Sequence, residues 1–237
     1  MGWSGTWSTS GSGSANLRVM VDTEEMVDVL LPSGQPACRA VLKREAHRQG
    51  LYHRCFHCWI VDPASDAPDG PYLFVQRRAF QKENWPGRLD TTAAGHLSAG
   101  ESVRDGLREV EEELGLSPDP ARLVPLGTRR VEQEIPAGVD RELHEVFLFP
   151  ESLGPESIRL QTEEVGALLR LRLGDVERLY AGGEIRAEEW AADGSRRETH
   201  IGLAEFVPNE DDYLLKVARA ARIMLDGGDA GDTFQIS

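Results

Sequence analysis

Residues 95–116 read Gly-His-Leu-Ser-Ala-Gly-Glu-Ser-Val-Arg-Asp-Gly-Leu-Arg-Glu-Val-Glu-Glu-Glu-Leu-Gly-Leu. A glycine-rich turn leads into a stretch with helical spacing and a crowd of carboxylates, and Gly115 ends it. At about 100° per residue, Glu109, Glu112 and Glu113 fall within one arc of roughly 100°. Val103, Leu107, Val110 and Leu114 form a narrower stripe nearly opposite. One face is therefore predicted to pack on a core, while the other gathers three like charges near a single point. Like charges at i+3 and i+4 repel by roughly 0.2–0.5 kcal/mol per pair. A divalent cation turns that repulsion into a binding site, and an all-oxygen donor set suits Mg²⁺ or Mn²⁺. The plain alternative for a bare glutamate run is a solvated acidic face.

The larger pattern argues against that alternative. Gly95, Glu101 and the unbroken run Arg108-Glu109-Val110-Glu111-Glu112-Glu113-Leu114-Gly115-Leu116 together resemble the signature box of the Nudix hydrolases. One departure stands out: the spacer from Ser102 to Leu107 is six residues where the family pattern has seven. Glu101 is accordingly expected in the loop ahead of the helix, where one missing residue can be absorbed. The resemblance implies a Nudix-type α/β/α sandwich, with a mixed sheet between helices. It also implies metal-dependent hydrolysis of a diphosphate linkage in a nucleoside diphosphate derivative or a related small organic diphosphate. Mg²⁺, with Mn²⁺ as the alternative, would be held by Glu109, Glu112, Glu113 and Glu101. Arg108, about 100° from Glu109, would orient a carboxylate through a charge-assisted hydrogen bond or form a structural salt bridge.

From about Val27 to Phe149 the chain also resembles one branch of that superfamily, the type I isopentenyl-diphosphate isomerases. Arg77-Arg78-Ala79-Phe80-Gln81-Lys82, Trp85-Pro86-Gly87 and Gly95-His96 carry this likeness. It implies a second metal site at His47, His53, His96, Asp140 and Glu142, and diphosphate contacts from Arg78 and Lys82. Isomerase chemistry needs a cysteine just before the Gly-His pair, and Ala94 stands there. A methyl group cannot carry the proton that allylic transfer requires. The isomerase helix, moreover, lacks most of the box carboxylates that this chain keeps. The reading is an isomerase-like Nudix hydrolase, with Glu112, Glu113, Arg108 and Glu142 as catalytic residues. The base is one of the box glutamates or a carboxylate between Asp140 and Glu145.

Charge and composition agree with a small-molecule enzyme. The 237 residues carry a net charge of −14, which argues against a nucleic-acid or anionic membrane partner. No apolar run reaches membrane-spanning length. Three cysteines are too few for a disulfide framework and fit a reducing, cytoplasmic setting. Cys55 and Cys58 form a C-x-x-C, but residues three apart on a strand face opposite ways, so they cannot chelate one ion. A homodimer is left open.

A flexible Gly/Ser/Thr tail is expected over 1–19, a single domain over 20–226 and a second tail over 227–237. Strands are predicted at Met26–Leu31, His53–Asp62, Tyr72–Arg78, Leu123–Glu132, Leu143–Phe149 and Val165–Leu173. Tyr72–Arg78 is read as the hairpin partner of the strand before it, and Leu89–Ala94 as running straight into the box helix. A short helix is expected at Asp175–Ala181, a hairpin over Glu188–Ile201 and an amphipathic helix from Asp211 onward. Specificity is assigned to three loops, 63–70, 133–142 and 186–206.

Overall fold

The computed structural model describes residues 25–63, 70–209 and 211–236. The tail expected over 1–19 and most of the loop 63–70 lie outside them. Strands β1 (Met26–Leu30) and β2 (Pro36–Leu42) lead to helix α1 (Lys43–Gln49), and β3 (Tyr52–Asp62) and β4 (Tyr72–Arg78) follow. Short strands β5 (Leu89–Asp90) and β6 (Ala93–His96) precede the box helix α2 (Arg108–Leu114). After it come β7 (Val124–Ile135), β8 (Gly138–Pro150), β9 (Val165–Arg172), α3 (Val176–Tyr180), β10 (Ile185–Ala191), β11 (Arg196–Ile201) and α4 (Tyr213–Leu225).

The sheet is mixed. Its order is β11-β10-β9-β4-β3-β1-β2, with β8 parallel beside β3 and β7 outside β8. β3 is the central strand, and its side chains alternate between two cores as a two-residue period requires. Phe56, Cys58 and Ile60 pack with Phe74, Val110 and Leu114 of α2 on one face. Trp59 and Val61 pack with Leu73, Val75 and the α3 and α4 side chains Val176, Leu214 and Val217 on the other. Burial on both faces explains why β3 reads as an almost continuous apolar run. Helices on the two faces make the expected sandwich. Full burial of Val110 and Leu114 contributes about 1.5–3 kcal/mol each, which fixes α2 against the sheet.

Four expectations are corrected. β4 pairs with β3 only at Leu73 and Tyr72, then runs along β9 for its whole length. The place beside β3 goes to β6, so Leu89–His96 crosses from β4 to β3. The stretch 133–142 is the tip of the β7–β8 hairpin rather than a loop, with pairing down to Ile135–Gly138. Its polar, charged alternation hides it, because one face of the hairpin is turned to a polar cleft instead of a core.

The box helix begins as a 3-10 turn at Val103–Leu107 and becomes α-helical at Arg108. A 3-10 segment rises about 2.0 Å per residue against 1.5 Å in an α-helix, so six residues span what seven would. The shortened spacer is absorbed there. Finally, the segment after residue 226 is no loose tail: Ala230 and Phe234 are buried, and Phe234 N–H donates to the Leu126 carbonyl at 2.8 Å. Nothing in its Gly/Asp-rich composition signals this docking. No helix of the described residues is long and apolar enough to cross a membrane.

Gly127 lets that segment in. Its φ is +100°, and a Cβ there would stand 1.9 Å from the Phe234 carbonyl oxygen. Gly127→Ala is expected to destabilise the chain by at least about 1–3 kcal/mol, read as a lower melting temperature. An unchanged melting temperature would mean that the C-terminal segment adds nothing to the fold.

Candidate active site

One cavity of about 840 Å³ receives nearly every site residue proposed from sequence. Two clusters face it. The first is the acidic face of α2. Glu113 is only 5 % exposed, with Oε2 accepting from Ala94 N–H at 3.1 Å and from Gln76 Nε2 at 3.3 Å. Burial, reinforced by repulsion from Glu109, pushes its carboxyl up to about 8. Glu109 is also raised by burial. It lies against Gly95, where a Cβ would meet its carboxyl carbon at 2.1 Å, so only glycine fits while Glu109 keeps this position. Glu112 is the most open of the three.

Arg108 ties this face together. Its Nη1 reaches Glu109 Oε1 at 2.5 Å and Glu112 Oε2 at 3.4 Å, while Nη2 donates to the His96 carbonyl at 2.9 Å. Glu101 grips the same guanidinium at 2.9 and 3.0 Å and accepts from Ser98 N–H. Both Glu101 oxygens are thus engaged, and the residue does not line the cavity. Expected among the metal ligands, it instead holds Arg108.

The second cluster is assembled by strand register. His53 and Glu142 are paired across the parallel β3–β8 ladder, and Cys55 is paired with both His144 and His96. Paired residues project to the same face. His47 of α1 and Asp140 of β8 complete the group. Nε2 of His47 lies 3.4 Å from Asp140 Oδ1, and Nε2 of His53 is 3.7 Å from both Asp140 Oδ1 and Glu142 Oε1. His96 Nε2 is 2.9 Å from Glu142 Oε1. Nε2 of His47, Nε2 of His53 and Asp140 Oδ1 are buried without a hydrogen-bond partner, while His96 Nε2 has Glu142 alone. Polar atoms left so are costly unless something answers them. His47, His53 and His96 have ligand atoms within 4.8 Å of one another, as do His53, Asp140 and Glu142. Burial lowers His53 to about 4, keeping it in the neutral form that binds metals. Burial and the charge of Glu142 raise Asp140, whereas hydrogen bonding from His144 and the nearness of His96 overcome burial and hold Glu142 well below the usual carboxylate range.

Arg78 and Lys82 also line the cavity. Arg78 Nη1 is 3.0 Å from Asp90, and Lys82 pairs with Glu164. Cys55 and Cys58 separate as strand geometry requires: Cys55 Sγ meets Glu142 Oε1 at 2.9 Å, while Cys58 lies in the core.

The model of the NUDIX domain matches residues 51–193, more than half of the chain. The chain belongs to the Nudix hydrolase family. An uncharacterized Nudix hydrolase of Clostridium acetobutylicum is 31 % identical over 188 residues, covering 75 % of this chain and 88 % of that protein. An isopentenyl-diphosphate Delta-isomerase of Corynebacterium diphtheriae is 34 % identical over 97 residues, 40 % of this chain and 49 % of its own length. A crystal structure of a Deinococcus radiodurans protein shares the fold, with a TM-score of 0.50 at 18 % identity over 67 % of this chain and 90 % of that one.

Beyond the Nudix box, sequence reasoning missed Gln76, Glu164, Cys55, His144 and Arg129, all on the cavity or behind it. Cys55 and His144 carried one weak signal, being two residues from His53 and Glu142 on strands. Glu164 and Gln76 carried none.

Proposed function

We propose that this Nudix hydrolase cleaves a diphosphate linkage in a nucleoside diphosphate derivative or a related small organic diphosphate, using Mg²⁺ or Mn²⁺. The observation that carries the reading is the α2 face: Glu109, Glu112 and Glu113 line one cavity together, and burial with Glu109 as a charged neighbour raises Glu113, so a cation there would favour its ionised form. Glu109, Glu112 and Glu113 would hold that ion, and their all-oxygen donor set fits it. Bound there, it neutralises phosphoryl oxygens and lowers the pKa of a water.

The protein's own parts do the rest. Arg108, clamped by Glu101, fixes Glu109 through Oε1 and leaves Oε2 for the ion, while a carboxylate outside that ligand set, Glu142 or Glu145, would take the proton of the attacking water. Arg78 and Lys82 receive the diphosphate, exchanging Asp90 and Glu164 for phosphoryl oxygens. A recess of about 240 Å³ beside the main cavity, lined by Leu89, Tyr180, Leu203, Phe206 and Tyr213, suits the organic part of the substrate. The orphaned nitrogens of His47 and His53, with His96, Asp140 and Glu142, fit a second divalent ion. Three free cysteines, two of them buried, agree with a reducing, cytoplasmic setting.

The histidine cluster also favours isomerisation, but Ala94 leaves no proton carrier at the position that chemistry needs. Product release from a panel of nucleoside diphosphate derivatives, with Mg²⁺, Mn²⁺ or EDTA, tests the main reading. Metal-dependent release is expected, and equal release in EDTA sinks the metal role. Binding without release would mean a ligand sensor, and isopentenyl diphosphate conversion by the wild-type chain would restore the isomerase. Glu111→Gln, exposed and turned about 160° from Glu109 on the helix, should keep turnover within about twofold.

A further inference from the structure

Behind the histidine cluster runs a chain of hydrogen bonds that neither the Nudix box nor the cavity contacts explain. It begins at Asp211, two residues ahead of α4. Asp211 grips Arg129 with both oxygens, Nε to Oδ2 at 2.9 Å and Nη2 to Oδ1 at 2.7 Å. Asn209 Oδ1 accepts from Arg129 Nη2 at 2.7 Å, and the guanidinium lies over the Tyr213 ring at 4.1 Å. Held on that side, Arg129 turns Nη1 to His144 Nδ1 at 3.2 Å. His144 Nε2 then meets Glu142 Oε2 at 2.6 Å. Arg129 and His144 are only 7 % and 5 % exposed, so the link between them is largely shielded from bulk water.

The chemistry of the links fixes their direction. A guanidinium has donors only, so His144 Nδ1 must accept. The ring proton therefore sits on Nε2 and is donated to Glu142 Oε2. His57 stacks on the same imidazole at 3.8 Å and 20°, and His57 Nδ1 is itself within 3.0 Å of the Tyr213 hydroxyl and 3.1 Å of Thr91 Oγ1. The plane of His144 is pinned by that stack and its rotation by the two hydrogen bonds.

One oxygen of Glu142 is thus tied from behind, and the other, which the Cys55 thiol meets at 2.9 Å, faces the cluster. Oε1 is the atom nearest His96, at 2.9 Å, and His53, at 3.7 Å. Resting on the reading of this cluster as a metal site, we propose that Asp211, Arg129 and His144 are positioning residues that hold Glu142 as a one-oxygen ligand, presenting Oε1 and withholding Oε2. The device also joins the cluster to the start of α4, since Asp211 and Tyr213 are the elements that aim Arg129. Outer partners of this kind typically change metal affinity 10–100-fold when removed.

Two measurements on the whole chain test this. Mn²⁺ titration by calorimetry is run on wild type, on His47→Ala to mark the step belonging to the histidine cluster, and on His144→Leu and His144→Gln. Glutamine can accept from Arg129 and donate to Glu142, so it preserves both links. His144→Leu should weaken the marked step 10–100-fold while His144→Gln stays within about threefold of wild type. Unchanged affinity in His144→Leu overturns the proposal. Equal loss in both variants also overturns it, because the ring would then act through packing. Nitrogen-15 histidine spectra of the metal-free wild type are the second measurement and require no variant to fold. An Nε2–H ring with bare Nδ1 is expected for His144, and a protonated Nδ1 overturns the chain of donors. If wild type shows no Mn²⁺ step that His47→Ala removes, the metal reading of the cluster fails, and Glu142 as a positioned ligand fails with it.

Discussion

Glu113→Gln is expected to lower kcat by at least about two orders of magnitude while raising the stability of the metal-free chain at neutral pH. The two effects have one cause. Glutamine keeps the volume and can still accept from Ala94 N–H and Gln76 Nε2, but it cannot supply negative charge to a cation. In the metal-free fold, Glu113 titrates near 8 against 4.5 for its ordinary value. The folded chain therefore holds this proton over a range in which the unfolded chain has released it. By linkage, stability from this group is fully present below about 4.5 and is lost as the pH rises toward about 8. The loss is on the order of a few kcal/mol, and Glu113→Gln removes it. Thermal melts of both chains in EDTA from pH 5 to 8.5 read this directly: the gap should widen with pH in favour of the variant. Mg²⁺ should close it by stabilising wild type alone. A variant that keeps wild-type turnover would overturn the assignment of Glu113. A pH-independent gap would mean that burial does not trap the proton.

What was legible in the sequence follows from the length scale of each interaction. The α2 face is set by residues three and four apart, so the grouping of Glu109, Glu112 and Glu113 opposite Val110 and Leu114 could be read from local spacing. β3 was legible because burial on both faces demands a run such as Trp59-Ile60-Val61. The histidine cluster depends on a parallel register that sets His53 beside Glu142 and Cys55 beside His144, residues far apart in the chain. Residue types and a family likeness pointed to His47, His53, His96, Asp140 and Glu142, yet only the register adds Cys55 and His144 beside them. The role of Glu101 went unread for a related reason. A carboxylate that binds a cation and one that binds a guanidinium look identical until the Arg108 side chain is seen lying on it. The buried end of the chain is the plainest case, because a lone phenylalanine among glycines and aspartates carries no period at all.

Gly95→Ala should cost as much activity as loss of a box carboxylate, with little change in fold. The added methyl would stand 2.1 Å from Glu109 Cδ and 2.3 and 2.4 Å from its two oxygens, distances no real contact shows. Something must move, and the far end of a flexible side chain moves more readily than the β3–β6 ladder that holds residue 95. Glu109 therefore swings away, and with it goes the contact from Arg108 Nη1. Misplacement of a reacting group by about 1 Å can cost on the order of 10²-fold in rate, so kcat should fall by that amount or more. The melting temperature should stay within a few degrees of wild type, because Phe56, Val110 and Leu114 keep their packing. Gly106→Ala is the contrasting control. Its methyl would fall 2.5 Å from Cβ and Cγ of Phe56, which are rigidly placed in the core, so the 3-10 turn leading into α2 must lift and stability must drop. Measured together, the two alanines separate the chemistry of the glycine turn from its packing. If Gly95→Ala turned over at the wild-type rate, Glu109 could not be a working ligand of the ion. If Gly95→Ala unfolded as readily as Gly106→Ala, the turn would be serving the fold before the site.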